Sequence, residues 1–215
     1  MADTLTVKTP DRLALAGQAA NEAASHQVFT DYRERKATNT LRRQDAGLAL
    51  FAEMLATAGI EAGELAQDPQ AWRGITWGLD SAFLRWQLRQ GYAVSTVNVR
   101  LSTVKTYAKL ALEAGTLDPS TYALIRAVEG CSHTEAKRVD EGREAAGIPT
   151  RNGHKKAESV SLTPQPAAEL KRQPNTPQGR RDALIMALLL DHGLRVGELA
   201  GLLVTDIDLQ AGELR

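Results

Sequence analysis

The sequence predicts a mainly α-helical protein in which a four-helix domain is followed by a smaller α+β region. Four stretches before residue 146 repeat apolar residues at spacings of three and four, the period of a helix buried on one side. Between about residues 146 and 161 this period stops and gives way to turn-forming and basic residues, which is typical of an interdomain linker. Alternation typical of a strand first occurs at 206–208.

The helical domain is predicted to cover residues 36–145. The preceding segment, 1–35, has weak periodicity, and we expect it to form a poorly ordered arm. Thr38 or Thr40 can cap the first helix, and Gly59 ends it. The apolar face of this helix comprises Leu41, Leu48, Phe51 and Leu55.

Three further helices complete the predicted domain. The second runs from about residue 76 to residue 90 and ends at Gly91, and the third begins at Ser95. Asp118 followed by Pro119 is typical of a helix start and opens the fourth. The buried face of the third helix is predicted to consist of Val97, Leu101, Val104, Ala108 and Ala111.

The C-terminal region, 162–215, begins with another cap and proline at Thr163 and Pro164. A strongly apolar helix is predicted over 183–190, and Gly193 ends it. A short helix over 196–203 and the start of a strand follow. A small α+β domain is therefore expected here.

Composition excludes few functions. The chain has 26 basic and 26 acidic residues, so its net charge predicts no class of partner. Residues 119–181 nevertheless hold eleven Lys or Arg against seven Asp or Glu, which makes this middle region basic. The single cysteine, Cys131, indicates a reducing compartment, and no signal peptide or long apolar run is present. We predict a cytoplasmic protein with no membrane partner.

Polar side chains form one stripe on the third helix. Its members can all donate hydrogen bonds, and no carboxylate interrupts them: Asn98, Ser102, Lys105 and Lys109. Such a stripe suits the phosphate backbone of duplex DNA. Arg42 and Arg43, opposite the apolar face of the first helix, suit the same contact. The alternative interpretation of both sets is an ordinary solvated face.

A single arginine stands out in the C-terminal region. Gly193 provides a turn that exposes Arg195, and Glu198 follows one helical turn later. An acid three residues away can brace the guanidinium. A guanidinium held in this way is a good clamp for a phosphate.

The segment from Arg181 to Asp208 resembles the start of the catalytic domain in the tyrosine recombinase (phage integrase) family. It shares an Arg-Asp-led apolar helix that ends in Gly-Leu-Arg-x-x-Glu-Leu, with His192 in place of the usual threonine. Asn39-Thr40-Leu41-Arg42 and Ser95-Thr96-Val97-Asn98 are similar to motifs of the same family's DNA-binding domain. The resemblance spans about residues 30–215.

The resemblance implies a fold and a function. Residues 36–145 would form a four-helix, SAM-like core-binding domain that holds DNA, and 162–215 the beginning of an α+β catalytic domain. Arg195 would be the first catalytic arginine, and Glu198 would orient it. The linker over 146–161 would lie near the DNA backbone with its bases Arg151, Lys155 and Lys156. Double-stranded DNA and other recombinase protomers are the expected partners; no cofactor, metal or small-molecule substrate is expected.

The family's remaining catalytic groups would all lie after residue 215. The resemblance therefore implies a truncated chain, which we expect to bind DNA without being able to cut or rejoin it, so its status as an enzyme stays open. The tyrosines present lie in the helical half, and none is assigned as the nucleophile: Tyr32, Tyr92, Tyr107 and Tyr122.

Two alternatives remain. The stretch 193–203 superficially fits the first helix and turn of a helix-turn-helix regulator, but the recognition helix that should follow is replaced by an acidic, strand-like sequence. A helical adaptor that does not bind DNA is the second alternative, supported only by the neutral charge. Salt-dependent binding to duplex DNA would separate the adaptor from a recombinase.

Overall fold

A computed structural model describes residues 11–152, 161–208 and 210–214. The chain divides into two compact units between Lys155 and Lys156, at a point within the predicted linker. The described residues contain nine α-helices and one two-stranded sheet, which confirms the prediction of a mainly α-helical fold. None of the helices described is long and apolar enough to cross a membrane.

The first unit contains six helices. A 3₁₀ turn, Pro69–Trp72, lies between the second and the third. The helices are α1 (Arg12–Glu34), α2 (Thr38–Thr57), α3 (Trp77–Arg89), α4 (Val94–Glu113), α5 (Pro119–Ala127) and α6 (His133–Ala145).

Helix ends in this unit follow local chemistry. Gly59 and Gly91 adopt φ of +74° and +83° after α2 and α3, a conformation that glycine reaches without strain. The Asp118 carboxylate accepts hydrogen bonds from the amides of Ser120 and Thr121, both at 2.9 Å, and so caps α5 as predicted. At α2 the prediction was wrong: Ala37 occupies the cap position, and no side chain caps the helix.

The structure differs from the prediction of a poorly ordered arm over residues 1–35. The described part of this segment consists mostly of helix α1. Its first half has only exposed residues, which explains the weak periodicity of the sequence. Near its end, Phe29 is buried with its ring 5.6 Å from that of Tyr107. Arg33 also donates to Asp45 on α2, at 2.6 Å. The contacts of the last turns thus attach α1 to the unit.

Helix α4 is at the centre of the first unit and packs against α1, α2, α3 and α5. All five residues predicted for its apolar face are buried, as is Tyr107. The largest fully buried side chains around it come from four other elements: Phe51, Trp72, Phe83 and Ile125. The Trp72 indole donates to the Leu65 carbonyl at 2.9 Å, so its one polar atom is satisfied.

The second unit has three helices, α7 (Pro164–Lys171), α8 (Pro177–Leu190) and α9 (Val196–Gly201). After a 3₁₀ turn, Val204–Asp206, strands β1 (Ile207–Asp208) and β2 (Glu213–Leu214) pair antiparallel. Helix α8 packs against both α7 and α9. Among the residues described in this unit, only Gly179 and Leu188 are buried.

Candidate nucleic-acid interface and anion site

The two arginines predicted on α2 face solvent. Arg42 and Arg43 are both exposed, opposite the buried Leu48 and Phe51. Arg42 donates through Nη1 to the Asn39 side chain at 3.1 Å, one turn earlier, and this bond leaves most of its donors available. Both side chains can therefore reach a phosphate.

The stripe predicted on α4 is divided in the structure. Asn98 donates from Nδ2 to the Cys131 carbonyl at 2.8 Å and accepts from the Cys131 amide at 3.0 Å. The Lys105 ammonium donates to the carbonyl of Val128. These two side chains hold the connector between α5 and α6. Of the stripe, only Ser102 and Lys109 are exposed.

Gly130 makes the close approach of Asn98 possible. A Cβ atom at Gly130 would overlap the side-chain oxygen of Asn98. A side chain at residue 130 would therefore displace the Asn98 side chain from this position. With glycine there, Asn98 forms its pair of bonds with the next residue, Cys131.

Lys109 has a weaker partner. Its ammonium lies 3.2 Å from the carboxylate of Glu113, and both side chains are largely exposed. Exposed ion pairs of this kind contribute little to the free energy of unfolding, and salt screens their attraction. Lys109 is thus free to exchange Glu113 for another anion.

Sequence reasoning missed Asp80, a fully buried carboxylate on α3. Neither of its oxygens has a hydrogen-bond partner among the residues described. Loss of water around the carboxyl raises its pKa to about 7, and the nearby Lys105 ammonium offsets part of that rise. The signal was present in the spacing, because Asp80, Phe83 and Gln87 together form the buried face of α3.

The linker bases are only partly described. Arg151 is exposed at the end of the first unit. Lys155 and Lys156 lie outside the described residues. Within the described parts of the chain, the Arg151 guanidinium has no ion pair.

Three tyrosines of the first unit are buried or contact neighbouring side chains. Tyr107 is fully buried, and this burial raises the pKa of its phenol. Its hydroxyl accepts from Arg33 at 3.0 Å, and the hydroxyl of Tyr32 accepts from Gln44 at 2.7 Å. The ring of Tyr92 lies 4.2 Å below the guanidinium of Arg100.

In the second unit, the predicted arginine and acid are in direct contact. Gly193 turns the chain with φ of +66° after α8, and Arg195 occupies the N-cap position of α9. Glu198 accepts from the backbone amide of Arg195 at 2.8 Å and from Nη1 of its guanidinium at 2.9 Å. These two bonds, the backbone bond first, lower the pKa of Glu198.

The Arg195 side chain is nevertheless open to solvent. It is 86% exposed, against 50% for Glu198. Glu198 occupies Nη1 alone, so Nε and Nη2 have no partner among the described residues. The arrangement is a guanidinium held at one edge with its other edge presented outward, which suits an oxyanion such as phosphate.

The helix-turn-helix alternative can be compared with the geometry. After α9 the described chain continues as a 3₁₀ turn and β1, so no recognition helix follows it as a helix-turn-helix motif requires. No group of three or more His, Cys, Asp or Glu among the described residues is placed to hold a metal ion.

Comparison with known proteins gives two kinds of match. Residues 161–215 match the model of the phage integrase family. Two curated relatives are both tyrosine recombinase XerC: one from Roseiflexus sp. (strain RS-1), 27% identical over 153 residues, and one from Roseiflexus castenholzii (strain DSM 13941 / HLO8), 30% identical over 148 residues. These alignments cover 70% and 67% of the chain.

The chain spans about two fifths of the length of these relatives, 41% of the first and 40% of the second. No solved structure matches the chain.

Proposed function

The chain belongs to the tyrosine recombinase (phage integrase) family, and from that premise we propose that it binds double-stranded DNA in site-specific recombination or integration. The first unit is the proposed core-binding domain, and Arg195 of the second unit is proposed to hold a backbone phosphate. The observation that carries the proposal is the outward-facing Arg195, braced by Glu198 within the segment that matches the family.

The exposed bases of the first unit support DNA binding. Arg42 and Arg43 on α2 and Lys109 on α4 are all exposed, and α2 packs directly on α4. Cations on two neighbouring helices can contact phosphates of one duplex.

The role proposed for Arg195 is electrostatic. When a nucleophile attacks a phosphodiester, negative charge gathers on the non-bridging oxygens. A guanidinium already held in place stabilises that charge without reorganising. Glu198 holds the Nη1 edge of the Arg195 guanidinium, and the edge with Nε and Nη2 remains available to the phosphate. Glu198 is therefore the proposed orienting residue. Other protomers of the same protein are proposed as partners in the full reaction.

A salt titration of DNA binding tests the proposal. The affinity of the chain for a short fluorescent duplex should fall steeply with salt, because each cation–phosphate contact releases a counterion. Replacing both Arg42 and Arg43 by Ala should reduce the slope of log affinity against log salt by about two. Arg73→Ala, which removes one exposed cation outside the predicted surface, is the control and should leave the slope nearly unchanged.

The outcome also separates the alternatives. A helical adaptor should show no salt-dependent affinity for the duplex at all. If the chain binds DNA but the Arg42/Arg43 double variant keeps the full slope, α2 is not part of the interface. Arg195→Ala should scarcely change stability, since the side chain is so exposed.

A further inference from the structure

The segment Ile148–Asn152, which follows α6, lies against the turn that joins α3 to α4. We name this segment the strap. Asn152 donates from Nδ2 to the carbonyl of Gln90 at 2.9 Å. At the other end, Nη2 of Arg143 donates both to the carbonyl of Pro149 and, at 3.1 Å, to the carbonyl of Tyr92. The strap is therefore fastened to the turn near both of its ends.

Gly91 forms the surface on which the strap lies. A Cβ at this position would be 3.0 Å from Oδ1 of Asn152 and 3.2 Å from Cβ of Pro149. A side chain at residue 91 would therefore require the strap to shift by a few tenths of an ångström. Gly91 thus has a second function besides its positive φ, since it ends α3 and also leaves room for the strap.

Arg143 is the main attachment of α6 and the strap to the unit. It is the buried residue of this otherwise polar helix, 6% exposed. Burying a guanidinium is costly unless its donors are satisfied. Here Nη1 donates to Asp140 at 2.9 Å and Nη2 donates to the two carbonyls, whereas Nε has no partner among the residues described. The strap supplies one of these acceptors, the Pro149 carbonyl, so its position contributes to satisfying the buried guanidinium.

Arg151 lies between the two fastened points. Its side chain is exposed and has no ion pair within the part of the chain that the structure describes. The residues on either side of it, Pro149 and Asn152, form their bonds without any ligand. A cation on an ordered backbone loses less conformational freedom on binding than one on a free chain.

We infer that the strap positions Arg151 for contact with a DNA phosphate, with Asn152 and Arg143 as the positioning residues. This inference rests on the proposed function of the first unit. Asn152 and Arg143 touch no phosphate themselves; they act through Arg151. The surface it predicts extends the proposed interface from α2 and α4 to the start of the linker.

A double-mutant cycle on DNA affinity tests the inference. Arg151→Ala should raise Kd several-fold, about fivefold, and lower the salt slope by about one, as expected for one phosphate contact. Asn152→Ala should raise Kd by about threefold because Arg151 is then less well held. In the Arg151→Ala background, Asn152→Ala should have no further effect. A residue with a merely structural role would weaken binding equally in both backgrounds.

Arg126→Ala is the matched control for this cycle, since Arg126 is an exposed arginine on α5 with no proposed contact. In that background Asn152→Ala should keep its full effect. Hydrogen exchange at the amides of residues 150–152 should also accelerate in Asn152→Ala, while α4 keeps its protection.

Each result has a distinct meaning. Unchanged affinity in Asn152→Ala, or effects that multiply with those of Arg151→Ala, would overturn the positioning role while leaving DNA binding intact. Absence of salt-dependent binding by the unmodified chain would overturn the proposed function and, with it, the role of Arg151. Accelerated exchange in Asn152→Ala would then still identify the strap as a structural element.

Discussion

The two units differ in where their apolar side chains lie. The first unit surrounds α4 with fully buried aromatic and aliphatic residues such as Phe51, Trp72 and Phe83. In the second unit, α8 carries a strongly apolar sequence, yet its Leu184 is 53% exposed. Apolar residues of α8, α9 and the 3₁₀ turn line an open groove of about 460 Å³ instead.

The difference shows that apolar sequence alone does not make a core. Burial requires elements on several sides, as α4 has in α1, α2, α3 and α5, whereas α8 packs only on α7 and α9. Substitutions should therefore affect the free energy of unfolding mainly through the first unit, and least at the exposed Arg195–Glu198 pair of the second unit.

Matched leucine truncations should separate the units most clearly. Leu55 on α2 is 1% exposed, so Leu55→Ala should reduce the free energy of unfolding by about 2–5 kcal/mol. Leu184→Ala, the same change at an exposed site, should alter it by less than about 0.5 kcal/mol. Urea denaturation followed by circular dichroism measures both. Equal losses would show that the described groove is closed in solution.

The second prediction concerns pH and Asp80. Its pKa of about 7 in the folded state exceeds the ordinary aspartate value of 3.8, so at intermediate pH the folded chain binds one more proton than the unfolded chain. Protonation of Asp80 therefore contributes fully to the free energy of unfolding below about pH 4. This contribution, at most ~4 kcal/mol, is lost as pH rises through about 7. Asp80→Asn should abolish this dependence and stabilise the chain by about 1–2 kcal/mol at pH 8. Unfolding midpoints between pH 4 and pH 8 test it.

The other carboxyls with shifted pKa values affect the free energy of unfolding in a more acidic pH range than Asp80 does. Asp118, Glu135 and Glu198 have lowered pKa values, so their contributions are present above the unfolded value and are lost only as pH falls below it. They do not offset the Asp80 effect between pH 5 and pH 8. A wild-type stability that is flat in this range would show that the Asp80 carboxyl finds a partner in solution.

A glycine pair tests the connector that Asn98 and Lys105 hold. Gly130→Ala should cost about 2–3 kcal/mol of stability, since the new methyl group would displace the Asn98 side chain from its two bonds with Cys131. Gly142→Ala is the control: no atom lies near its added methyl, and it should stabilise α6 by about 0.5–1 kcal/mol. Thermal unfolding of the two variants should shift in opposite directions.

The smallest effect on stability is expected at the ionic site of the second unit. Because Arg195 and Glu198 are exposed, Glu198→Gln should leave the unfolding midpoint unchanged. The pKa of Glu198, followed by NMR, should lie below its ordinary value. In Arg195→Ala it should rise only partly, because the backbone amide of residue 195, its largest influence, remains. A complete return to the ordinary pKa would show that the guanidinium dominates.

Much of the fold could be predicted from local patterns. Gly59, Gly91 and Gly193 mark helix ends, and Asp118 with Pro119 marks a helix start, because these residues act on backbone groups within a few positions. Helix α1 was missed because its attachment depends on Phe29 and Arg33 meeting residues far along the chain. The spacing of residues within α1 cannot predict contacts with those distant partners.

Among the candidate site residues, too, local contacts could be predicted from the sequence and contacts with distant segments could not. The contact of Arg195 with Glu198 is local, one helical turn apart, and the sequence was sufficient to predict it. On α4, by contrast, Asn98 and Lys105 have the same spacing as Ser102 and Lys109 but form bonds to a connector about thirty and twenty residues later. A helical wheel shows which residues share a face, and it does not show what covers that face.

The sequence by itself determined most of the helices, though not α1 or α6, together with the apolar face of α4 and the braced Arg195. Each of these depends on residues a turn or so apart. Tertiary structure alone decided that Asp80 is buried, that Asn98 and Lys105 bond inward, and that the strap lies on Gly91. These outcomes depend on which distant segments pack together and exclude water. Both the cost of a buried charge and the direction of a polar side chain follow from that packing.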